Sequence, residues 1–257
     1  MSTGPQINPG EIFNWPMLKI QYQTTHEAIA KLLPPGIETG EKPTVYLTVY
    51  NFPVNNYPEY GLLLSVAANC DGVEGEYTLS YSISKEAEVY ISHEIYGQPK
   101  YHADIDYFRM FDSVTAKITH AGYTFLEFSG KTVGVIEDFG DMETNEFWVK
   151  YSRSADMALG KYDMDPQVIR IQSQYGSAHV EKVEGELTLR ESPWDPIATE
   201  LPMESEIEAM LWTPIFKDRK YMHYKMLDKQ AFWPHTDVIG GSRWPGTNGG
   251  PKLKLGK

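Results

Sequence analysis

The sequence predicts a mainly β protein, α+β only in having a few helices, with antiparallel strands closed into a barrel or packed as a sandwich. Three observations predict it. Apolar residues alternate at period two through most of the chain between Val45 and Arg190. Gly-containing turns separate the alternating runs. Aromatic residues make up 13% of the 257 residues, with 17 Tyr and 6 Trp, which suits strands and aromatic-lined pockets.

The first element reads as a short helix over residues 25–33. Thr24 and Glu27 fit a capping box, Ile29, Leu32 and Leu33 form one apolar face, and Pro34-Pro35 ends it. Strand-like runs follow at Val45–Val49, Tyr77–Ile83, Ala87–Ile91, Ser113–Thr119, Tyr123–Phe128, Thr132–Ile136, Gln167–Ile171 and Glu186–Arg190. Turns are expected at Ala121-Gly122, Ser129-Gly130, Gly140-Asp141 and Tyr175-Gly176. Residues 145–161 show no clear period. The expected division is one domain over residues 1–232 and an extended Gly/Pro-rich arm over residues 233–257. Phe232, Trp233 and Trp244 are costly to leave in water, so the arm is either a floppy tail or lies on a neighbouring subunit, which would imply an oligomer.

Composition excludes several functions. Lys plus Arg is 23 against 35 Asp plus Glu, a net charge of −12, and an acidic chain repels phosphate backbones, so no nucleic-acid partner is expected. The single cysteine, Cys70, can form neither an internal disulfide nor a Cys-rich zinc site, which points to a reducing compartment. No apolar run approaches a membrane span, and residues 1–10 lack a hydrophobic signal core, so the expected location is cytoplasmic with no membrane partner. Dinucleotide, P-loop and Gly-x-Ser-x-Gly fingerprints are absent. No two of the seven histidines are spaced as H-x-x-x-H or H-x-H, so no metal is expected.

The distinctive segment runs from Ser92 to His102. Pro99 fixes its own φ and pushes Gln98 extended, so the backbone presenting Lys100 is stiff. Tyr96, Tyr101, Tyr107 and Phe108 lie nearby in sequence. A lysine amine among aromatics loses hydration, which lowers its pKa, and a neutral amine attacks ketones. The residues alone leave open a plainer alternative, a lysine reaching from a strand end to water.

The segment Ser92-His93-Glu94-Ile95-Tyr96-Gly97-Gln98-Pro99-Lys100 resembles the active-site segment of the acetoacetate decarboxylase family, in which Arg-Glu precedes Tyr/Phe-Pro-Lys-Lys. Three further stretches resemble family segments in the same order: residues 22–38, the turn Gly72-Val73-Glu74-Gly75-Glu76-Tyr77, and Ser192-Pro193-Trp194-Asp195-Pro196 with residues 197–202. Together they span residues 19–227. The resemblance implies a β-rich, partly closed barrel-like domain, a homo-oligomer, a small keto substrate and no cofactor. It makes Lys100 the Schiff-base lysine. Tyr57-Pro58-Glu59-Tyr60-Gly61 matches the context of a family glutamate, which makes Glu59 the carboxylate facing Lys100. Around them, Trp15, Tyr60, Glu94, Tyr96, Gln98, Tyr101 and Arg109 are the expected substrate-binding residues.

Two departures from the family matter. Tyr101 replaces the second lysine that often follows the first, which leaves desolvation as the means of lowering the Lys100 pKa. No arginine precedes Arg109, and Trp15 stands where decarboxylating members place a carboxylate-binding arginine. Either a substrate carboxylate meets another cation, with Lys19 and Arg109 as candidates, or the substrate has no carboxylate there. The first expectation is a Schiff-base lyase that decarboxylates a β-keto acid larger than acetoacetate. The alternatives are aldolase or dehydratase chemistry on the same lysine, with Tyr60, Tyr96 or Tyr101 as proton donor, and a non-catalytic binding domain in which Lys100 holds an anion.

Overall fold

The strands order themselves around one long antiparallel pair. The structure is a computed structural model that describes residues 16–54 and 57–252. Among the described residues the strands are β1 (Met17–Gln23), β2 (Glu38–Thr39), β3 (Thr44–Val54), β4 (Tyr57–Cys70), β5 (Val73–Ile83), β6 (Lys100–His102), β7 (Asp104–Met110), β8 (Ser113–His120), β9 (Tyr123–Val135), β10 (Met142–Arg153), β11 (Tyr162–Leu189) and β12 (Glu208–Met226). The helices are α1 (His26–Ala30), α2 (Glu86–Tyr96), α3 (Ile197–Glu200) and α4 (Lys229–Phe232), with a 3-10 turn at Trp233–Thr236. Seven strands close on themselves in the order β10-β5-β4-β3-β1-β12-β11, because β10 also pairs with β11. The ring is antiparallel except where β10 meets β5 in parallel at Glu146 and Phe147. The far half of β11 carries β9, β8 and β7 outward as an antiparallel extension. The fold is thus mainly β with a partly closed, barrel-like sheet, as the alternation predicts.

Each ring strand has two unlike faces. Val45, Leu47 and Val49 on β3, Leu62, Leu64 and Val66 on β4, and Leu18 and Ile20 on β1 join an aliphatic core with Val114, Ile118, Leu126 and Phe128 of the extension. The alternate positions carry aromatic and charged side chains instead: Lys19, Tyr50, Phe52, Glu76, Glu146, Trp148, Tyr175 and Trp212. Period two, shifted in phase by irregularities on β5 and β12, separates a structural face from a cavity face.

Four local readings change. The N-cap of α1 is Thr25, whose hydroxyl accepts from the Ala28 amide, not Thr24. Ala87–Ile91 is not a strand but lies within α2. Glu88, Ile91, Ser92, Ile95 and Tyr96 recur at helical spacing along the face lining the cavity. Ser129-Gly130 is no turn, because β9 runs straight through it. Gly130 faces Gly185 of β11 across a close approach where a Cβ on Gly185 would meet Gly130 Cα at 2.6 Å. Tyr175-Gly176 is likewise no turn, since it sits at a register shift within the 28-residue β11. Residues 145–161, without a clear period in the sequence, supply most of β10 and the turn after it.

Residues 233–252 pack back on their own chain. Trp244 is 0% exposed and packs with Phe232 in the aliphatic core of its own chain. Trp244→Ala is expected to cost about 3–5 kcal/mol, the usual loss for emptying a large aromatic site. Urea unfolding measures it, and a loss below about 1 kcal/mol would show that this segment is not part of the cooperative unit. No helix among the described residues is long and apolar enough to cross a membrane.

Candidate active site

All seven ring strands and α2 line one cavity of about 280 Å³. That is roughly the liquid volume of nine water molecules. Its wall is largely aromatic, with Tyr50, Phe52, Tyr81, Tyr96, Trp148, Tyr175, Trp212 and Tyr221. Lys100 opens onto it from the first position of β6. Lys100 pairs in register with Tyr81 on β5, and both side chains face the cavity. The segment before β6 is held by the Tyr81 amide donating to Pro99 O at 2.7 Å. Gly97 closes α2 in the left-handed region at φ +66°, which lets the chain reverse into Gln98-Pro99.

Lys100 is 7% exposed, and its Nζ lies 3.7 Å from Oε1 of Glu59, which is fully buried. Glu59, Gly61 and Leu63 alternate on one face of β4. Gly61 has a specific reason: the Tyr50 ring lies across it, where any Cβ would overlap the ring. From there the Tyr50 hydroxyl donates to Glu59 Oε1 at 3.3 Å. Glu59 Oε2 has no hydrogen-bond partner among the described residues. A buried, unpaired carboxylate oxygen is costly, and such groups concentrate where a proton is to be moved.

Burial dominates both ionisations. It lowers the Lys100 pKa below the ordinary lysine value, while Glu59 and then Glu88 pull it partly back. It raises the Glu59 carboxyl above the usual range, with Lys100 opposing. Both shifts favour the neutral forms, a free amine beside a carboxylic acid. The Tyr50 phenol is pushed well above its normal pKa by burial and then by Glu59, so it remains a proton donor.

A second polar group lies in the same cavity. Tyr81 donates to Glu146 Oε2 at 2.9 Å. Arg219 donates from Nε to Ser173 Oγ at 3.0 Å and from Nη2 to the Tyr175 hydroxyl at 2.5 Å. Burial raises the Glu146 pKa, and Arg219 opposes that rise. Lys19 lines the wall as well, with Nζ 3.3 Å from Thr48 Oγ1 and 5.4 Å from the Trp212 ring centroid.

Of the expected site residues, Lys100, Tyr96 and Gln98 line this cavity, and Glu59 lies buried against Lys100 without being part of the lining. Tyr96 stacks on Tyr221 at 4.8 Å, and Gln98 is buried. The others fall elsewhere. Tyr101 is next to Lys100 on a strand, so it points to the opposite face. There its hydroxyl donates to Asp195, which also accepts from His120 Nδ1 at 2.7 Å. Asp195 is set by Ser192 Oγ, which accepts its amide, so the Ser192–Pro196 segment buttresses the far side of β6. Tyr60 lies on the face of β4 away from Glu59, and its amide donates to Ser84 Oγ. Glu94 is on the exposed face of α2. Arg109 sits on the outer extension and pairs with Glu181 at 2.6 Å. Trp15 lies outside the described residues.

Sequence reasoning missed Arg219, Glu146, Trp148, Trp212 and Tyr175. The one signal for Glu146 was its shared phase with Trp148 on β10, in a strand that also carries Glu143, Thr144, Asn145 and Lys150. Arg219 offered none. Trp212 and Phe216 are even-numbered, and simple alternation would turn Arg219 away from them. A register shift between the pairs Gln174–Asp218 and Tyr175–Phe216 changes the phase and returns Arg219 and Tyr221 to the cavity wall.

The fold is shared with solved structures at low identity. An acetoacetate decarboxylase from Legionella pneumophila subsp. pneumophila str. Philadelphia 1 superposes with a TM-score of 0.67 at 16% identity, over 88% of this chain and 92% of that one. MppR, an enduracididine biosynthesis enzyme complexed with pyruvate, gives 0.64 at 11% identity over 87% and 95%. An acetoacetate decarboxylase-like enzyme from Sphingomonas wittichii RW1 gives 0.64 at 12% identity over 83% and 92%. No curated protein sequence matches the chain significantly. The family model for acetoacetate decarboxylase (ADC) matches residues 1–229, and the chain belongs to that family.

Proposed function

We propose that this protein is a Schiff-base-forming carbon–carbon lyase that decarboxylates a β-keto acid larger than acetoacetate. One observation carries the reading: a buried lysine amine 3.7 Å from a buried carboxyl group in an aromatic-lined cavity. The neutral Lys100 amine attacks the ketone, and loss of water with uptake of one proton gives a protonated imine. The bond between the α-carbon and the carboxyl group breaks, its electron pair enters the iminium, and CO₂ leaves with an enamine remaining. The α-carbon then takes a proton, with Glu59 as the nearest acid and Tyr50 behind it. Water hydrolyses the imine and releases the ketone and the lysine.

Arg219 and Lys19 supply what the N-terminal segment lacks. Both line the cavity, so a substrate carboxylate can meet a cation there without Arg109. The aromatic wall favours a bulky, apolar substituent on the keto acid. Arg219→Gln is expected to raise KM for the keto acid about 10- to 100-fold, the loss of a hydrogen bond to a charged group. Imine formation with a methyl ketone that has no carboxylate should stay near the wild-type rate. Equal losses on both ligands would remove Arg219 from acid recognition.

The aldolase or dehydratase reading is favoured by the tyrosine hydroxyls around the cavity, because burial holds Tyr50 and Tyr81 well above their ordinary pKa as proton donors. The likeness to MppR, one of whose structures holds the condensation product of pyruvate and imidazole 4-carboxaldehyde, points the same way. Release of CO₂ from a keto acid separates the two readings: decarboxylation requires it, whereas condensation or water loss does not.

A further inference from the structure

The backbone of Lys100 is held by a part of the chain beyond the family match, which ends at residue 229. β6 is three residues long and pairs with β5, so one flank needs another support. Residues 238–246 provide it. Gly241, at φ +81°, packs so closely that a Cβ would overlap the carbonyl of Lys100 and come within 2.8 Å of Tyr101 Cβ. Arg243 is 9% exposed. Its guanidinium donates from Nη2 to Gly97 O at 2.8 Å and to Val149 O at 2.5 Å, and its amide donates to Leu79 O at 2.7 Å. One residue thus ties β5, β10 and the turn before Pro99. Trp244 anchors the segment in the core. From α2, His93 Nε2–H donates to Lys100 O at 2.8 Å.

We propose that residues 238–246 form a positioning brace for the proposed nucleophile, with Gly241 and Arg243 fixing where the Pro99–Lys100 backbone presents its amine. The proposal rests on the Schiff-base reading for its consequence in catalysis, but its geometry does not. A loosened brace lets β6 shift and admits water to the amine. Lys100 is faced by Glu59 from β4, with Tyr50 of β3 behind it, and by Glu88 from α2. His93 lies on its backbone side. With the carboxylates left in place, hydration removes the desolvation that lowers the Lys100 pKa, so that pKa rises toward the ordinary lysine value.

The test measures the pH dependence of Lys100 acetylation by acetic anhydride in the full chain, read by peptide mass spectrometry with exposed Lys117 as reference. Gly241→Ala and Arg243→Lys are compared with wild type, and each is first checked for cooperative unfolding. The expected result is a higher labelling midpoint for Lys100, no change for Lys117, and imine formation slowed up to about a hundredfold. If Gly241→Ala fails to fold, Arg243→Lys still reports, because it keeps the charge and loses the planar fork. An unchanged Lys100 midpoint in folded variants overturns the brace. If wild type forms no imine with any keto acid, the Schiff-base reading fails instead, and the labelling midpoint still decides the brace.

Discussion

Lys100→Ala will reduce turnover of the keto acid to background, a loss of roughly 10⁵-fold or more, as expected when a covalent nucleophile is removed. Exogenous amine will not restore it fully, since a free amine is neither buried nor placed against Glu59. The loss will fall on kcat and on borohydride-trapped adduct together, because no imine forms. The variant will remain folded: the aliphatic core lies on the other face of the ring strands. Retained turnover in Lys100→Ala, measured as CO₂ release, would place the chemistry on another group.

Glu59→Gln will separate proton transfer from imine formation. Removal of the carboxyl proton donor is expected to lower kcat about 10²- to 10⁴-fold, the usual contribution of general acid–base catalysis. The pH dependence will move as well, and its sign follows from the contacts. Burial lowers the Lys100 pKa and Glu59 raises it in part. Without Glu59 the lowering stands less opposed, so the amine deprotonates at lower pH. The acidic limb of the imine-trapping rate should therefore shift to lower pH in Glu59→Gln, while kcat falls. An unchanged limb, or a shift to higher pH, would mean that Glu59 does not act on the amine as a charge.

The architecture was legible because it rests on period two. Val45, Leu47 and Val49 alternate in sequence and fill one face in the structure. The long strands were harder. Gly130 and Gly176 read as turn residues, yet each sits inside a strand, at a close approach and beside a register shift respectively. Nothing local distinguishes a glycine that turns a chain from one that admits a neighbouring backbone. The catalytic candidates followed the same logic. Lys100 and Glu59 were found through motif context, and alternation then explains why the adjacent Tyr101 and Tyr60 face away. Arg219 depended on a strand irregularity that shows only in the pairing. Gly241 and Arg243 lie more than 130 residues from the turn they support. Their role depends on where the C-terminal segment returns, which no local pattern encodes.

The central claim is that Lys100 forms a covalent imine with a keto acid. It is tested most directly by incubating the wild-type protein with β-keto acids bearing aromatic side chains, adding borohydride, and mapping the adduct by peptide mass spectrometry. The account predicts one adduct per chain, on the peptide containing Lys100, with the mass of the decarboxylated ketone after reductive coupling. An adduct at any other lysine, or none with keto acids that the protein demonstrably turns over, would contradict it.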